Sequence, residues 1–288
     1  MADEYYGIYD KAPVFEGVSQ YRAPFNFELA GREYKLVMNT EPDYFVRFID
    51  GHTLEWSTFE GRAEREYYDC GKADELTYFV NFELHTVQPR TNITLALDLE
   101  NRLVSFVRSI TGFHKKYPYL IKLEFDFGAL DIPGFPLPFK RHGYTSDLVG
   151  KRVHWHYSPN FEIIHVYYSP YYMRGAFTPD SPVMQNRTPE QDAYAKKYPY
   201  DEPAVYIKIK DGVYLVSCNE VNMSRIGHTG NSLLFLMDLK RMHDVGRSFG
   251  HAGLNEGKVH GENYLFSAFG KFVYSDGVIE SEENAWII

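Results

Sequence analysis

The chain has 288 residues, of which 44% are hydrophobic and 17% aromatic, and its formal net charge is −9. Nucleic acids and anionic membranes are bound through basic patches, so this charge argues against both as partners. The sequence has no run of about 18 apolar residues for a membrane span, and residues 1–4 (MADE) do not resemble a signal peptide. Cys70 and Cys218 lie in different halves and predict no disulfide framework, so we expect a cytoplasmic protein.

In chain order, the elements are short strands separated by turns. Residues 1–26 carry aromatic residues without a clear period, and we interpret them as an extended N-terminal arm. Residues 53–59 and 92–99 alternate as half-buried strands do. Asp50-Gly51 and Asp211-Gly212 predict hairpin turns, where glycine supplies a positive φ. Helical periodicity is scarce, and its best candidate is residues 189–197. The pattern predicts an all-β protein built from antiparallel barrels or sandwiches.

The sequence also contains an internal repeat. The segments around residues 31 and 150 are 119 residues apart (150 − 31), and those starting at residues 78 and 214 are 136 apart (214 − 78). The second copy has therefore gained 17 residues (136 − 119) between these two points. That gain fits the polar stretch 178–203, which we interpret as an inserted loop. The recurring segments are 29–32 (LAGR) with 148–151 (LVGK), 44–48 with 163–167, 78–80 with 214–216, and 97–99 with 237–239.

The repeat defines the predicted domains. Residues 133–138 (PGFPLP) are interpreted as the connector because proline and glycine interrupt regular structure. We therefore predict an arm over residues 1–26, a first barrel over 27–140 and a second barrel over 141–288.

The strand 212–220 (GVYLVSCNE) ends in a carboxylate. Side chains alternate along a strand, so Tyr214, Val216, Cys218 and Glu220 share one face. If that face points inward, Glu220 lies at the edge of an apolar space, where burial raises its pKa and makes it an acid–base group. The alternative is that Glu220 caps a turn or pairs with an arginine.

The two units, their spacing and residues 141–152 (RHGYTSDLVGKR) resemble the MoaF-like proteins, a family named after a molybdenum cofactor biosynthesis locus. That resemblance covers about residues 27–275. It implies two tandem lipocalin-like (calycin) antiparallel β-barrels.

The second unit also resembles phenolic acid decarboxylase, a lipocalin-like barrel that removes carbon dioxide from hydroxycinnamic acids without a cofactor. Residues 150–162, 212–220 and 240–243 carry the resemblance. It implies that Glu220 handles the phenol proton and that Trp155 and Tyr157 occupy the positions of two tyrosines that hold the substrate carboxylate. The family's arginine is matched to Arg174. Trp155 departs from the family because an indole cannot exchange a proton as a phenol does.

We accordingly predict a binding cavity in the second barrel, with Glu220 and Tyr157 as catalytic groups and Trp155, Tyr214, Arg174 and Cys218 as substrate-binding groups. An aromatic wall with few polar groups suits a small hydrophobic or aromatic molecule. The alternative is that Trp155 and Tyr157 are ordinary core residues.

Histidines offer a competing metal site. His154 and His156 stand at i and i+2, Glu162 follows, and His165 and His228 are further candidates, which is similar to the ligand pattern of cupins. The spacing from His156 to Glu162 is long for that motif. If Trp155 and Tyr157 face the cavity, His154 and His156 face away from it, so we predict no metal.

Two functions from different classes remain. The first is a lyase or isomerase that needs no cofactor and uses general acid–base catalysis in the second barrel. The second is a carrier that binds the same ligand without turnover. A cupin-like metal enzyme and an accessory role in molybdenum cofactor synthesis are weaker alternatives. The first barrel, with Tyr34, Arg47, Trp56, Glu83 and His85 as pocket candidates, is expected to be structural or to mediate homodimer formation.

Overall fold

The computed structural model describes residues 21, 23–58, 61–112, 115, 120–159, 161–177, 189, 193, 201–221, 230–252 and 260–273. Most of the predicted arm, most of the predicted helix at 189–197, most of the inserted loop and His228 lie outside these residues. Among the described residues, no helix has the length and apolar character needed to cross a bilayer.

The first half of the chain forms a closed antiparallel barrel, which we call the N-terminal barrel. The predicted strands at 53–59 and 92–99 are confirmed, with ends shifted by one residue. Its eight strands are β1 (Glu33–Met38), β2 (Tyr44–Phe48), β3 (Thr53–Thr58), β4 (Glu64–Asp74), β5 (Thr77–Leu84), β6 (Thr91–Asp98), β7 (Leu103–Ile110) and β8 (Lys122–Asp131).

The second half forms the C-terminal barrel. Pairing of β12 with β13 closes a sheet of eight strands, and the two-residue strand β9 (Gly143–Tyr144) pairs at the edge with β13. The prediction of two tandem antiparallel barrels is therefore confirmed. The strands of this barrel are β10 (Arg152–Ser158), β11 (Phe161–Val166), β12 (Tyr172–Ala176), β13 (Asp201–Lys210), β14 (Val213–Asn219), β15 (Gly230–Asp238), β16 (His243–Ala252) and β17 (His260–Phe272).

The chain divides into two compact units. Of the described residues, one unit contains 24–143 and 207–211, and the other contains 21, 23, 144–206 and 212–273. The interior of each barrel follows from alternation along its strands. In β2, Tyr44, Val46 and Phe48 are buried while the two residues between them are exposed, because successive side chains point to opposite faces.

The repeat is visible in backbone hydrogen bonds that recur at the start of each barrel. The Gly31 N–H donates to the Phe48 carbonyl and the Gly150 N–H to the Tyr167 carbonyl, each at 2.7 Å. Both pairs are related by 119 residues (150 − 31 and 167 − 48). The φ angles of Gly31 and Gly150 are 80° and 92°, a region that glycine occupies without strain. The two barrels thus begin with the same turn.

A second recurring set fixes the remaining equivalences. The Leu99 N–H donates to the Leu76 carbonyl and the Leu239 N–H to the Gly212 carbonyl, both at 2.9 Å. Each position in the first barrel therefore has its counterpart a fixed number of residues later in the second. This offset is 119 residues for β1–β3, 136 (212 − 76) for β4 and β5, and 140 (239 − 99) for β6–β8. The second copy holds 17 extra residues (136 − 119) before β13, as predicted, and four more (140 − 136) before β15.

Candidate active site in the C-terminal barrel

Strand β14 places the predicted face inside the barrel. Tyr214, Val216 and Cys218 are 5%, 0% and 4% exposed, and they belong to the apolar core cluster of this barrel. The Asp211-Gly212 turn before the strand has Gly212 at φ 82°, the positive value that was predicted for a tight turn. Glu220, the next residue on that face, follows directly after β14.

Glu220 is a partly buried carboxyl whose backbone N–H donates to the Asn231 carbonyl at 3.0 Å. Burial raises the pKa of Glu220 to about 8, and the nearby charges of Glu202 and Glu262 add to the increase, while a hydrogen bond with Asn231 opposes it. Three carboxyl groups thus share one region of the barrel. Mutual repulsion favours retention of a proton there, so Glu220 exchanges protons near neutral pH.

The neighbouring carboxyls are themselves buried. Glu202 on β13 is 3% exposed and Glu262 on β17 is 7% exposed. The Asn231 side-chain amide donates to Glu262 Oε2 at 3.2 Å. Cys218 lies one alternation step before Glu220, and burial raises the pKa of its thiol well above the usual value, with further contributions from Glu220 and Glu202. Cys218 is therefore a neutral thiol in the wall.

Tyr157 and Asp244 form a second buried acid–base pair. The Tyr157 hydroxyl donates to Asp244 Oδ2 at 3.3 Å, and the Ala268 N–H donates to Asp244 Oδ1 at 2.7 Å. Burial raises the pKa of Asp244 to about 8 although both hydrogen bonds favour its charged form. Burial, and then the Asp244 charge, raise the pKa of Tyr157 well above its usual value. At neutral pH the pair is predominantly a phenol and a carboxylic acid.

Three further aromatic groups line the same interior. Trp155 is fully buried, and its indole N–H is close enough to the Tyr167 hydroxyl to lower the pKa of that group, which burial otherwise raises well above its usual value. The Tyr167 hydroxyl lies 3.2 Å from Met237 Sδ and 3.4 Å from His165 Nδ1. Burial lowers the pKa of His165 to about 3, so this imidazole is neutral. These polar tips supply hydrogen-bonding groups in an otherwise apolar wall.

The Trp155 ring rests on a glycine of the neighbouring strand. A Cβ atom built on Gly270 would lie 2.6 Å from Trp155 ring carbons. We predict that Gly270→Ala destabilises the C-terminal barrel by about 1–3 kcal/mol because the core is overpacked, as measured by urea denaturation. Gly143→Ala is the matched control, since a Cβ there meets nothing within 4 Å. Equal stability of the two variants would contradict this contact.

Two predicted binding residues, Arg174 and Tyr214, do not contribute to the site around Glu220 and Tyr157. Arg174 is on the outer surface, where its guanidinium makes two hydrogen bonds to Asp201 at 2.7 and 2.9 Å. Its neighbour Met173 points inward and is 2% exposed, so alternation turns Arg174 away from the interior. Tyr214 is interior, but it lies three alternation steps before Glu220 on the same strand face. Its hydroxyl donates to Asp147 at 3.4 Å. The structure therefore joins Glu220, Cys218, Trp155 and Tyr157, and it leaves Arg174 outside.

The two barrels differ sharply at these positions. Five interior polar groups of the C-terminal copy have apolar counterparts in the core of the N-terminal barrel. Two carboxyls differ from this pattern: the counterpart of Glu202 is the buried Glu66 (202 − 136), and that of Glu262 is the exposed Lys122 (262 − 140). The pairs, by the offsets above, are Trp155 with Leu36, Tyr157 with Met38, His165 with Val46, Glu220 with Leu84 and Asp244 with Val104.

Sequence reasoning missed Asp244, Glu202 and Glu262. A signal existed for Asp244, which opens an alternating series with Gly246, Ser248 and Gly250 on β16. Small residues on one face of a strand leave room for larger side chains on facing strands, and the Phe266 ring lies over Gly246. The face was not recognised because glycine obscures hydrophobic alternation.

The N-terminal barrel carries a cleft of about 530 Å³ beside β1–β3. Three of the five predicted pocket residues, Tyr34, Arg47 and Trp56, line it, whereas Glu83 and His85 do not. Glu83 instead receives two hydrogen bonds from Arg90. This cleft lacks the buried acid–base groups of the C-terminal barrel.

Residues 12–113 match the family model described as the MoaF N-terminal domain. This match covers most of the N-terminal barrel and confirms the resemblance to the MoaF-like proteins. No curated protein matches the chain.

Proposed function

With a MoaF N-terminal domain in its first half as the premise, we propose that the chain is a lyase or isomerase that acts without a cofactor. The reaction takes place in the C-terminal barrel, on a small aromatic or conjugated substrate, by general acid–base catalysis. Glu220 and Tyr157 handle the protons, and Trp155 and Cys218 form part of the wall.

One observation supports this proposal above the others: three acid–base groups stand inside the C-terminal barrel at positions that apolar residues fill in the N-terminal barrel. Met38, Leu84 and Val104 fill the N-terminal barrel at positions where Tyr157, Glu220 and Asp244 stand in the other. Burying ionisable groups costs free energy that apolar side chains avoid. Perturbed carboxyls gathered inside a barrel are typical of functional sites.

The proposed chemistry uses two poles of the interior. Glu220 with Glu202 and Glu262 forms one pole, and Tyr157 with Asp244 forms the other. Cys218 couples the two poles, because the charge of Glu220 contributes to the raised pKa of the Cys218 thiol and Cys218 contributes to the raised pKa of Tyr157. A flat conjugated molecule can place one polar end at each pole while its ring packs against aromatic side chains.

The proton transfers follow from these positions. The ionised fraction of Glu220 removes a proton from a phenol or an activated carbon at its pole. The released electron pair moves through the conjugated system towards the far end of the substrate. There the Tyr157 hydroxyl turns its single proton from Asp244 to the developing charge, and the protonated Asp244 donates its own proton to the Tyr157 phenol oxygen. General acid–base groups of this kind contribute about 10²- to 10⁴-fold to a rate.

A carrier is the alternative function. Buried aromatic walls bind a conjugated ligand whether or not it reacts, and the same fold supports both uses. Binding with no chemical change of the ligand would favour the carrier over the enzyme.

Two measurements test the proposal. Native mass spectrometry of the purified protein should reveal a bound small molecule, and ultraviolet spectra should follow a panel of 4-hydroxycinnamic acids and conjugated enones during incubation with the protein. We expect at least one compound to lose its conjugated absorbance band at a rate that depends on Glu220. Binding of panel members with unchanged spectra would overturn the enzymatic proposal, and no binding would overturn the site itself.

A further inference from the structure

The outer face of the β10–β11 hairpin carries two histidines and a glutamate in contact. Trp155 points into the barrel, so its neighbours His154 and His156 point outward, as the sequence predicted. Glu162 is the cross-strand partner of His156. The two imidazole rings lie 4.1 Å apart between centroids. Paired strands hold all three side chains on one rigid surface.

The spacing of the polar atoms suits a small metal ion. His154 Nε2 lies 3.0 Å from Glu162 Oε2, and His156 Nδ1 lies 3.4 Å from the same oxygen. One ligand atom from each residue lies within 4.8 Å of the others. Tetrahedral zinc with bonds of about 2.0–2.1 Å requires ligand atoms about 3.4 Å apart. Little movement is therefore needed to admit the ion.

From this arrangement we propose that His154, His156 and Glu162 bind a divalent transition metal of the zinc type on the outer face of the C-terminal barrel. Two imidazoles and one carboxylate are a ligand set that zinc accepts, with a fourth position left for water. The side chains are 11%, 19% and 23% exposed, so the ion has access from solvent. This site is separate from the barrel interior and does not depend on the function proposed above.

Lys271 is the nearby cation that opposes the ion. It is the cross-strand partner of His154 on β17 and is close enough to influence the electrostatics of His156. Its ammonium group repels a divalent ion, so Lys271→Met should tighten binding about threefold or more. A purely structural cluster of histidines would not respond to metal in either form.

Titration of the purified, chelator-treated chain with Zn²⁺ tests the proposal by calorimetry, with thermal denaturation as a second readout. We expect one equivalent to bind and Tm to rise by several degrees. His156→Ala and Glu162→Gln should each weaken binding about 100-fold. Glu162→Gln keeps the size of the side chain, so it guards against misfolding of the alanine variant.

The matched control is His85→Ala. His85 also contacts a glutamate, Glu66, but through a single imidazole. Its removal should leave zinc affinity unchanged. Absence of stoichiometric binding to the native chain, or equal affinity in Glu162→Gln, would overturn the proposal.

Discussion

Replacing Glu220 with glutamine is expected to abolish most turnover while ligand affinity changes little. Glutamine keeps the shape and hydrogen-bonding capacity of the side chain, but it cannot take up or release a proton. The rate should therefore fall about 10²- to 10⁴-fold, the contribution of a well-placed acid–base group. Stopped or continuous ultraviolet assays with a substrate from the panel measure the rate, and fluorescence titration measures the affinity.

The pH profile gives an independent check on the role of Glu220. A general base must be ionised, and burial together with Glu202 and Glu262 raises its pKa to about 8. The value of kcat/KM should therefore increase with pH up to about 8 and then level off. This rising limb of the pH profile should be absent from Glu220→Gln.

Glu202→Gln is the informative companion variant. It removes a negative charge that raises the pKa of Glu220, so the limb should move to lower pH without disappearing. The exposed Glu75→Gln on the N-terminal barrel should leave both rate and profile unchanged. An unchanged profile in Glu220→Gln would mean that another group takes the proton.

The sequence supports the position of Glu220 because the argument needs only strand alternation and a glycine turn. Alternation places Tyr214, Val216 and Cys218 on the face of Glu220, but Val213 and Leu215 on the opposite face are equally buried. Which of the two faces lines the barrel interior was therefore decided by the structure and not by the sequence. The repeat could be recognised from the spacing of matching segments in the sequence. The internal match between residues 31 and 150 corresponds to two turns with the same hydrogen bonds.

Other parts of the site depend on information that a single sequence does not contain. Arg174 follows Met173 by one position, and only the register of β12 decides which of the two side chains enters the barrel. Asp244 lies 24 residues after Glu220 and 87 after Tyr157, and its partner could not be identified before the strands were paired. Buried acids also break the hydrophobic pattern by which strands are recognised.

Asp244 should make the stability of the C-terminal barrel strongly pH-dependent. Its folded-state pKa of about 8 lies above the unfolded value of about 3.9. The stabilising contribution is fully present below the unfolded pKa and is lost as pH rises through the folded pKa. Between these values the free energy of unfolding should decrease by up to about 1.4 kcal/mol per pH unit from this group.

Asp244→Asn should remove this dependence. Asparagine can accept the Ala268 N–H bond through its carbonyl oxygen and donate an amide N–H to the Tyr157 hydroxyl oxygen, but it does not ionise. We expect the variant to unfold at higher urea concentration than the native chain at pH 8, and the difference to become small near pH 4. Denaturation curves at several pH values measure the effect.

Two comparisons isolate the contribution of Asp244. Burial also raises the pKa of Glu220, so Asp244→Asn should retain a weaker dependence of the free energy of unfolding on pH. The double variant with Glu220→Gln should reduce that dependence further. Asp131→Asn changes an exposed acid on β8 and should leave the slope intact. If Asp244→Asn retained the full pH dependence of the native chain, Asp244 would be ionised in the folded barrel. Tyr157 would then face a permanent negative charge, which opposes its proposed contact with an anionic substrate.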